Sequence, residues 1–228
     1  ILSFAFMAFA VNLPADVFST NVVGYINLSI QAGNNLIANQ LYNTNNTLNG
    51  LFGTGTPEGA TATKWDAASQ QFLAESVYNS VSGWSINYDL VAGEGALFGS
   101  NSAFTNTFVG EVHGFDGENL VFTYPTLSEG TYLLSCSVPF QTDFFHVIGR
   151  DPLANESVRQ LNATNQTYRT TTFLNGAWDD GSPSLKVGES AFFTLVSPTA
   201  VPEPGIASLF VCGVFVLGGA RLLRKRKI

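Results

Sequence analysis

The feature that most constrains the fold is an internal repeat whose spacing drifts only from 97 to 94 residues. Residues 33–38 (GNNLIA) match residues 130–135 (GTYLLS) near the start of the repeat. Residues 93–98 (GEGALF) match residues 188–193 (GESAFF) near its end. Between them the register is kept by 51–53 with 147–149, 65–72 with 161–168, and Trp84 with Trp178. One register through five blocks predicts two copies of one structural unit.

Each unit is predicted to contain the same short elements in the same order. Residues 25–30 alternate apolar and polar side chains, as a half-buried strand does. The expected elements are an opening strand (25–30; 120–124), a second strand (36–41; 132–138), a helical turn (47–52; 143–148), a hairpin (60–72; 157–168) and a closing strand (96–98; 191–195). Thr47 or Asn46 is expected to cap the first turn and Thr142 or Asp143 the second, with Gly53 and Gly149 at the helix ends.

The repeat predicts an all-β fold of two tandem similar β-sandwich or barrel-like modules with short helical turns, followed by a C-terminal transmembrane helix. The modules are expected at residues 20–112 and 118–199. The connector, about 110–119, is too short for a flexible linker, so the modules should pack together. With 19 Phe and 3 Trp, much of the core should be aromatic.

The charge distribution argues against nucleic-acid binding. The net charge is -7, but five of the ten basic residues lie beyond position 220, and residues 1–200 carry the other five basic residues and sixteen of the seventeen acidic residues. Only 12% of residues are charged, about half the share in an average globular chain. The polar surface must therefore come from Asn, Thr, Ser and Gln, as is common in extracellular β-proteins.

The first residues have the apolar character of a secretory signal. Residues 1–11 read ILSFAFMAFAV, the length of a signal-peptide apolar region, and cleavage sites are offered after Ala10 and Ala15. No basic residue precedes the run, so we expect residues 1–15 to be a truncated signal peptide. A buried first strand is the alternative.

The last residues are organised for a membrane. Residues 206–220 are almost wholly apolar and, with Leu222 and Leu223, are just long enough to span a bilayer as a helix. Five basic residues end the chain: Arg221, Arg224, Lys225, Arg226 and Lys227. The positive-inside rule keeps this membrane stop in the cytoplasm, which places the body outside.

Directly before the apolar run stand Val201, Pro202, Glu203 and Pro204, and the two prolines favour an extended, accessible segment. This motif, the helix and the basic end together resemble the PEP-CTERM sorting signal over residues 201–228. The resemblance implies recognition and removal of the tail by a membrane-embedded exosortase, and it implies an exported protein of an exopolysaccharide-producing bacterium. The body also resembles uncharacterised exported proteins with such tails. A plain C-terminal anchor is the alternative.

Residues with reactive side chains are few. Glu94 and Glu189 follow a Gly at the same place in both units, which favours a shared structural role as acceptors of backbone N–H bonds. A glycosidase pair such as Glu94 with Asp89 is the weaker alternative. The histidines His113 and His146 do not suffice for a metal site. Cys136 and Cys212 are not expected to form a disulfide. We expect no cofactor and no metal, although turns at 116–119 and 179–181 carry oxygen ligands of the kind that bind Ca²⁺.

The sequence therefore predicts an exported cell-surface or matrix protein with a structural or adhesive role and no enzymatic activity. The expected partners are the exosortase, the membrane before processing, and exopolysaccharide. A carbohydrate-binding module is the alternative function, with Trp65, Tyr78 and Tyr88 as candidate sugar-stacking residues. Exposed aromatic rings on one face would favour this alternative, and buried tryptophans would oppose it. A glycoside hydrolase is the least favoured reading.

Overall fold

The computed structural model describes residues 23–113, 115–116, 119–120, 122 and 124–197. The expected signal peptide and sorting tail lie outside these residues. The described chain up to Val196 belongs to one compact unit.

The described residues are mostly strand, which confirms the all-β prediction. The first half of the chain contains β1 (Val23–Ile30), β2 (Gly33–Ala38), α1 (Leu48–Leu51), β3 (Thr61–Asp66), β4 (Gln71–Phe72), β5 (Ser76–Asn79), β6 (Gly83–Trp84), β7 (Gly95–Ser100) and β8 (Phe104–Glu111). The second half contains β9 (Phe115–Asp116), β10 (Asn119–Leu120), β11 (Gly130–Leu134), β12 (Thr142–Asp143), α2 (Phe144–Ile148), β13 (Ser157–Asn162), β14 (Thr167–Leu174), β15 (Ala177–Trp178), β16 (Ser184–Leu185) and β17 (Ala191–Leu195).

The main sheet of each half has the same strand order. In the first half the order is β2-β7-β3-β5-β6, with β4 also paired to β3, and in the second it is β11-β17-β13-β14-β15. All the pairings described are antiparallel. In both sheets the second strand of the unit lies at the edge and the closing strand lies beside it. The sequence repeat is therefore also a repeat of topology.

One inserted residue accounts for the main difference between the sheets. Three residues separate Phe72 from Ser76, whereas two separate Tyr168 from Thr171, although each pair occupies equivalent register positions against β3 and β13. An extra residue interrupts a ladder as a bulge does. The return strand is consequently split into β4 and β5 in the first half and is continuous as β14 in the second.

The opening strand β1 pairs along its whole length with β8, from Val23 opposite Glu111 to Ile30 opposite Phe104. The alternation seen in the sequence places Ile26, Leu28 and Ile30 inward, and all three are buried. They pack with residues of the six-stranded sheet in one core. The partner strand β8 was not expected from the sequence.

The prediction of a strand at 120–124, as the counterpart of β1, is wrong. Strand β10 ends at Leu120 and pairs only with β9, and Phe122 and Tyr124 are not in a strand. A strand persists only where its backbone groups find a ladder partner. Among the described residues, which stop two positions after β17, no equivalent of β8 is available to pair with this segment.

Both cores are built around aromatic rings, as the composition indicates. In the first core the ring of Phe52 lies 4.8 Å from Phe98 and 5.5 Å from Phe108, measured between centroids. In the second core Phe144 lies 5.8 Å from Phe193. The recurring Trp84 is 4% exposed, and Trp178 packs against the second core.

Three of the four helix-end predictions hold. The Thr47 hydroxyl accepts a hydrogen bond from Gly50 N–H at 3.3 Å, and the Asp143 carboxylate accepts one from His146 N–H at 3.1 Å. Gly149 has φ 85°, the left-handed conformation expected at a helix end. Gly53 is not left-handed: α1 ends at Leu51 and is capped by Phe52, whose backbone is extended and whose ring enters the first core.

A third cluster joins the two halves, which we call the interface cluster. Its buried members are Leu36, Leu133 and Phe192, with Trp65, Leu97 and Leu161 packed against them. These six residues form three pairs of repeat-equivalent positions: 36 with 133, 65 with 161, and 97 with 192. Each half thus contributes the same three positions, which is the signature of an approximately two-fold symmetric contact.

The backbone hydrogen bonds across this contact are also reciprocal. Ala38 N–H donates to Gly188 O at 2.8 Å, and its equivalent Ser135 N–H donates to Gly93 O at 2.9 Å. Isolated bridges join Ile37 to Glu189, and Leu134 to Glu94. The Gly-Glu turn of each half therefore covers the edge strand of the other.

Two glutamines at the hairpin tips also form reciprocal hydrogen bonds between the halves. The Gln70 side chain accepts from Thr131 N–H at 2.9 Å and donates to Thr131 O at 3.1 Å. Its equivalent Gln166 accepts from Asn34 N–H at 2.7 Å and donates to Asn34 O at 3.0 Å. Both glutamines are left-handed, with φ 56° and 58°. An identical backbone conformation at both tips presents the same amide to the opposite half.

We expect Leu133→Ala to lower the free energy of unfolding by about 2–4 kcal/mol, because it empties the centre of the interface cluster. Leu36→Ala, at the equivalent position, should have a similar effect. Leu174→Ala, on an exposed end of β14, serves as the control and should change stability by less than about 1 kcal/mol. Urea unfolding followed by tryptophan fluorescence measures all three. Equal midpoints for Leu133→Ala and Leu174→Ala would contradict the interface as described.

Candidate functional site

The two recurring glutamates act in turns. The Glu94 carboxylate accepts a hydrogen bond from Val91 N–H at 3.2 Å, and the Glu189 carboxylate accepts one from Lys186 N–H at 3.0 Å. Gly93 and Gly188, with φ 90° and 81°, give both turns the same left-handed step. Acceptance of backbone N–H groups is the structural role expected for these glutamates from their recurrence.

Glu94 is held further by a cation. Lys64 Nζ lies 2.7 Å from Glu94 Oε2 and also donates to the backbone carbonyl of Asp89 at 2.8 Å. The Lys64 ammonium thus ties the Glu94 side chain and the Asp89 backbone to β3. The carboxylate considered for a glycosidase pair is engaged in fixing a turn.

The two histidines belong to separate clusters. His113 stacks on Tyr42 with 3.7 Å between ring centroids. His146 Nδ1 lies 2.7 Å from Asp143 Oδ1, at the start of α2. Burial raises the pKa of the Asp143 carboxyl, but hydrogen bonds from His146 outweigh it and hold that pKa below its ordinary value. No group of three metal-ligating side chains occurs among the described residues.

The candidate sugar-stacking residues do not share an exposed face. Tyr78 is 6% exposed and packs beside Trp84. Trp65 is partly buried in the interface cluster, and its indole N–H donates to Thr131 O at 2.8 Å. The Tyr88 hydroxyl donates to Ala74 O at 2.7 Å. These three rings make contacts within the fold, and their role in stacking on sugars stays a prediction.

The acidic turn at 179–181 is also engaged within the fold. The Asp179 carboxylate accepts from Thr172 N–H at 2.8 Å, and Asp180 forms an ion pair with Arg169 at 2.6 Å.

Cys136 is buried, and this burial raises the pKa of its thiol.

A polar cleft of about 790 Å³ lies where the two halves meet. One wall comes from the start of the chain, with Asn27, Ser29 and Gln31, and the other from the β13–β14 hairpin, with Gln160 and Asn162. The turn that contains Lys186 and Glu189 contributes a third side. Its lining is dominated by amide and hydroxyl side chains, with leucine and isoleucine side chains beneath them. None of the aromatic residues expected in a sugar site lines it.

Several amide groups in the cleft are available to a ligand. Asn162 uses its carbonyl oxygen for Thr164 N–H at 3.0 Å, and Asn27 uses its own for the Thr107 hydroxyl at 2.8 Å. Within the described part of the chain, the amide NH₂ groups of both asparagines have no hydrogen-bond partner. Each side chain is held in place by the hydrogen bond to its amide oxygen, which leaves its NH₂ group free to donate to a ligand.

The side chains that line the cleft differ from those at the equivalent positions of the first half. Gln160 corresponds to Lys64, Arg169 to Leu73, and Lys186 to Val91, by their register in the sheets and turns. Leu73 and Val91 are 41% and 43% exposed. The two halves therefore share the interface positions and differ at the cleft positions.

A buried ion pair fixes the end of the body. Glu156 is 0% exposed and is bound by Arg150 at 2.6 and 2.8 Å. It also accepts from the N–H groups of Leu153 at 2.8 Å and Val196 at 3.1 Å. Burial alone raises the pKa of Glu156, but these hydrogen bonds and the Arg150 charge outweigh it and hold the pKa below its ordinary value.

The sorting residues Val201, Pro202, Glu203 and Pro204, the expected span at 206–220 and the membrane stop of Arg221, Arg224, Lys225, Arg226 and Lys227 all lie outside the described residues. Within the described ranges, no helix is long and apolar enough to cross a membrane. Comparison of the chain with protein-family models, with curated proteins and with solved structures found no match.

We expect the Glu156 contribution to stability to depend on pH in the direction of a depressed carboxyl pKa. The stabilisation is present above the ordinary value of 4.5 and is lost as the pH falls through the lower folded pKa, because the unfolded state binds the proton first. Glu156→Gln should cost about 2–3 kcal/mol at pH 7, since it leaves a partly buried Arg150 without its counter-charge. The same variant should show a shallower loss of stability in acid.

Urea unfolding midpoints between pH 3 and pH 8 measure this effect. Glu75→Gln, on an exposed stretch between β4 and β5, is the control and should reproduce the wild-type profile. Parallel pH profiles for wild type and Glu156→Gln would refute a linked protonation at this site.

Proposed function

We propose that the chain is an exported cell-surface or extracellular-matrix protein with a non-enzymatic structural or adhesive role. Residues 201–228 act as a sorting tail of the PEP-CTERM type. An exosortase recognises the tail and removes it from the mature protein.

The observation that carries this proposal is the order of parts at the end of the chain. The compact unit of the body extends to Val196, whose N–H donates to the buried carboxylate of Glu156. The Pro-Glu-Pro motif, the apolar run and the basic cluster follow in that order. In the sequence five residues separate Val196 from the Pro-Glu-Pro motif, so a cut beyond Pro204 removes none of the described strands.

The physical logic of the tail is that of a temporary anchor. Residues 206–220 hold the precursor in the bilayer as a single helix. The cluster at 224–227 stays on the cytoplasmic side, and Arg221 reaches the headgroup region with its long side chain. Together they fix the depth of the motif relative to the membrane, which is what a membrane-embedded enzyme needs for cleavage at one position.

The body supports a structural or adhesive role. We take it as two tandem modules of one origin, because the two main sheets share their strand order and exchange equivalent contacts. The acidic side chains Glu94, Glu189, Asp179 and Glu156 are all engaged in turns or ion pairs. Those residues stabilise a fold whose surface is rich in amide side chains.

We expect the tail to be lost only when an exosortase is present. The chain is produced in a host with the enzyme and in the same host without it, and the intact mass and the cell fraction are measured. The double change Pro202→Ala and Glu203→Ala should leave the tail attached and the protein in the inner membrane, because the recognised motif is removed.

Pro198→Ala, a proline just outside the motif, is the matched control and should be processed like the wild type. An uncut tail in both hosts would reject the sorting proposal and leave a single-span anchor. Cleavage of the double variant at the wild-type rate would reject the motif as the recognised element.

A further inference from the structure

We infer that the polar cleft between the two halves binds a neutral polysaccharide chain. This binding goes beyond sorting and names the chemical class of partner for the body. It rests on the proposed function only in that the body must meet its ligand outside the cell.

The chemistry of the lining matches hydroxyl groups. An amide side chain offers two N–H donors and a carbonyl acceptor, and a sugar hydroxyl both donates and accepts. Asn27, Gln31, Gln160 and Asn162 line facing walls of the cleft, with Ser29 and Thr164 among them. The open NH₂ groups of Asn27 and Asn162 supply donors, and the Gln160 amide is held by its donated bond to Ser184 O at 2.8 Å.

The charge of the cleft favours a neutral ligand over a polyanion. The Arg169 guanidinium is neutralised by Asp180 at 2.6 Å, and Lys186 lies 3.8 Å from Glu189. The rest of the chain before the basic end is strongly acidic, and its field repels phosphate, sulfate and uronate polymers. Hydrogen bonding to uncharged hydroxyls is the interaction that remains.

The size and rigidity of the cleft suit several sugar units. Its volume of about 790 Å³ falls within the range of about 300–1,000 Å³ found for small-molecule sites. Leu28, Leu36 and Leu161 lie among the lining residues and offer apolar contact to the C–H groups of a sugar ring. The walls are strands joined by the pair of hydrogen bonds between the Gln166 side chain and the Asn34 backbone. Their polar groups are therefore positioned before a ligand arrives.

Comparison of equivalent residues in the two halves distinguishes side-chain groups that the fold requires from groups that are present only in the cleft. Asp66 closes its hairpin turn by accepting Ala68 N–H at 3.0 Å, as Asn162 does with Thr164 N–H at 3.0 Å. A carboxylate is therefore sufficient for the turn. The amide at 162 adds an NH₂ group that has no partner among the described residues, and Gln160 adds an amide carbonyl where the first half has the ammonium of Lys64.

Binding is tested with the purified full-length chain in detergent and a panel of neutral hexasaccharides built from glucose, galactose, mannose or N-acetylglucosamine. Isothermal titration should detect at least one of them. The double change Gln160→Lys and Asn162→Asp installs the residues of the first half and should weaken that binding at least tenfold, because a donor and an acceptor are lost. Asp66→Asn, the reverse change outside the cleft, is the control and should bind like the wild type.

A second pair of variants guards against an effect on folding. Thr164→Lys places a long side chain in the cleft at an exposed turn position and should also weaken binding at least tenfold. Ala68→Lys makes the same change at the equivalent turn and should leave binding unchanged, and the unfolding midpoint is recorded for every variant.

The inference is overturned if no neutral hexasaccharide binds, if the cleft variants bind as the wild type does, or if only polygalacturonate or an extended peptide binds. The experiment uses the uncleaved chain, so its outcome does not depend on the exosortase. Sugar binding by the purified chain, together with a tail that stays uncut in the host with the exosortase, would leave the cleft assigned and the sorting proposal rejected.

Discussion

The rest of the structure depends on the reciprocal contact between the two halves. Strands β2 and β11 lie at the edges of their sheets, and an open edge is a template for unwanted pairing. Each half covers the other's edge with its Gly-Glu turn, through the bridges from Ile37 to Glu189 and from Leu134 to Glu94. Neither half closes its own edge, so the two units stabilise each other as the protomers of a two-fold dimer would.

Much of the fold could be predicted because the repeat supplies each element twice, and the misses have physical causes. Strand β8 was not predicted because its inward positions include Asn106 and Gly110. Asn106 is a buried amide that donates to Leu51 O at 3.0 Å. With these two residues, β8 lacks the regular alternation of apolar and polar side chains that identified β1 in the sequence. The opposite error arose at 120–124, where the alternation is present but the described chain offers no ladder partner.

The candidate site was less predictable, because the residues that suggested chemistry are used by the fold. Trp65 and Tyr78 support the interface cluster and the first core, and Glu94 closes a turn. The polar cleft combines segments from both halves, none of which carries a motif. Its one signal in the sequence is the difference between the copies, such as Gln160 against Lys64. A duplicated chain thus marks a candidate site where equivalent positions diverge in polarity.

The residues at the end of the second repeat bear on the proposed cleavage. Strand β8 follows β7 by three residues, and continuing the repeat spacing beyond β17 brings its equivalent onto residues 199–206, which include Pro202 and Pro204. Proline has no N–H to give to a ladder, so the sequence at Pro202 and Pro204 is unfavourable for a strand paired as β8 is. The described part of the second half instead follows β17 with Val196, whose N–H donates to the buried carboxylate of Glu156 at 3.1 Å. Among the described residues the last strand, β17, ends at Leu195, so the proposed cleavage beyond Pro204 removes none of the described strands.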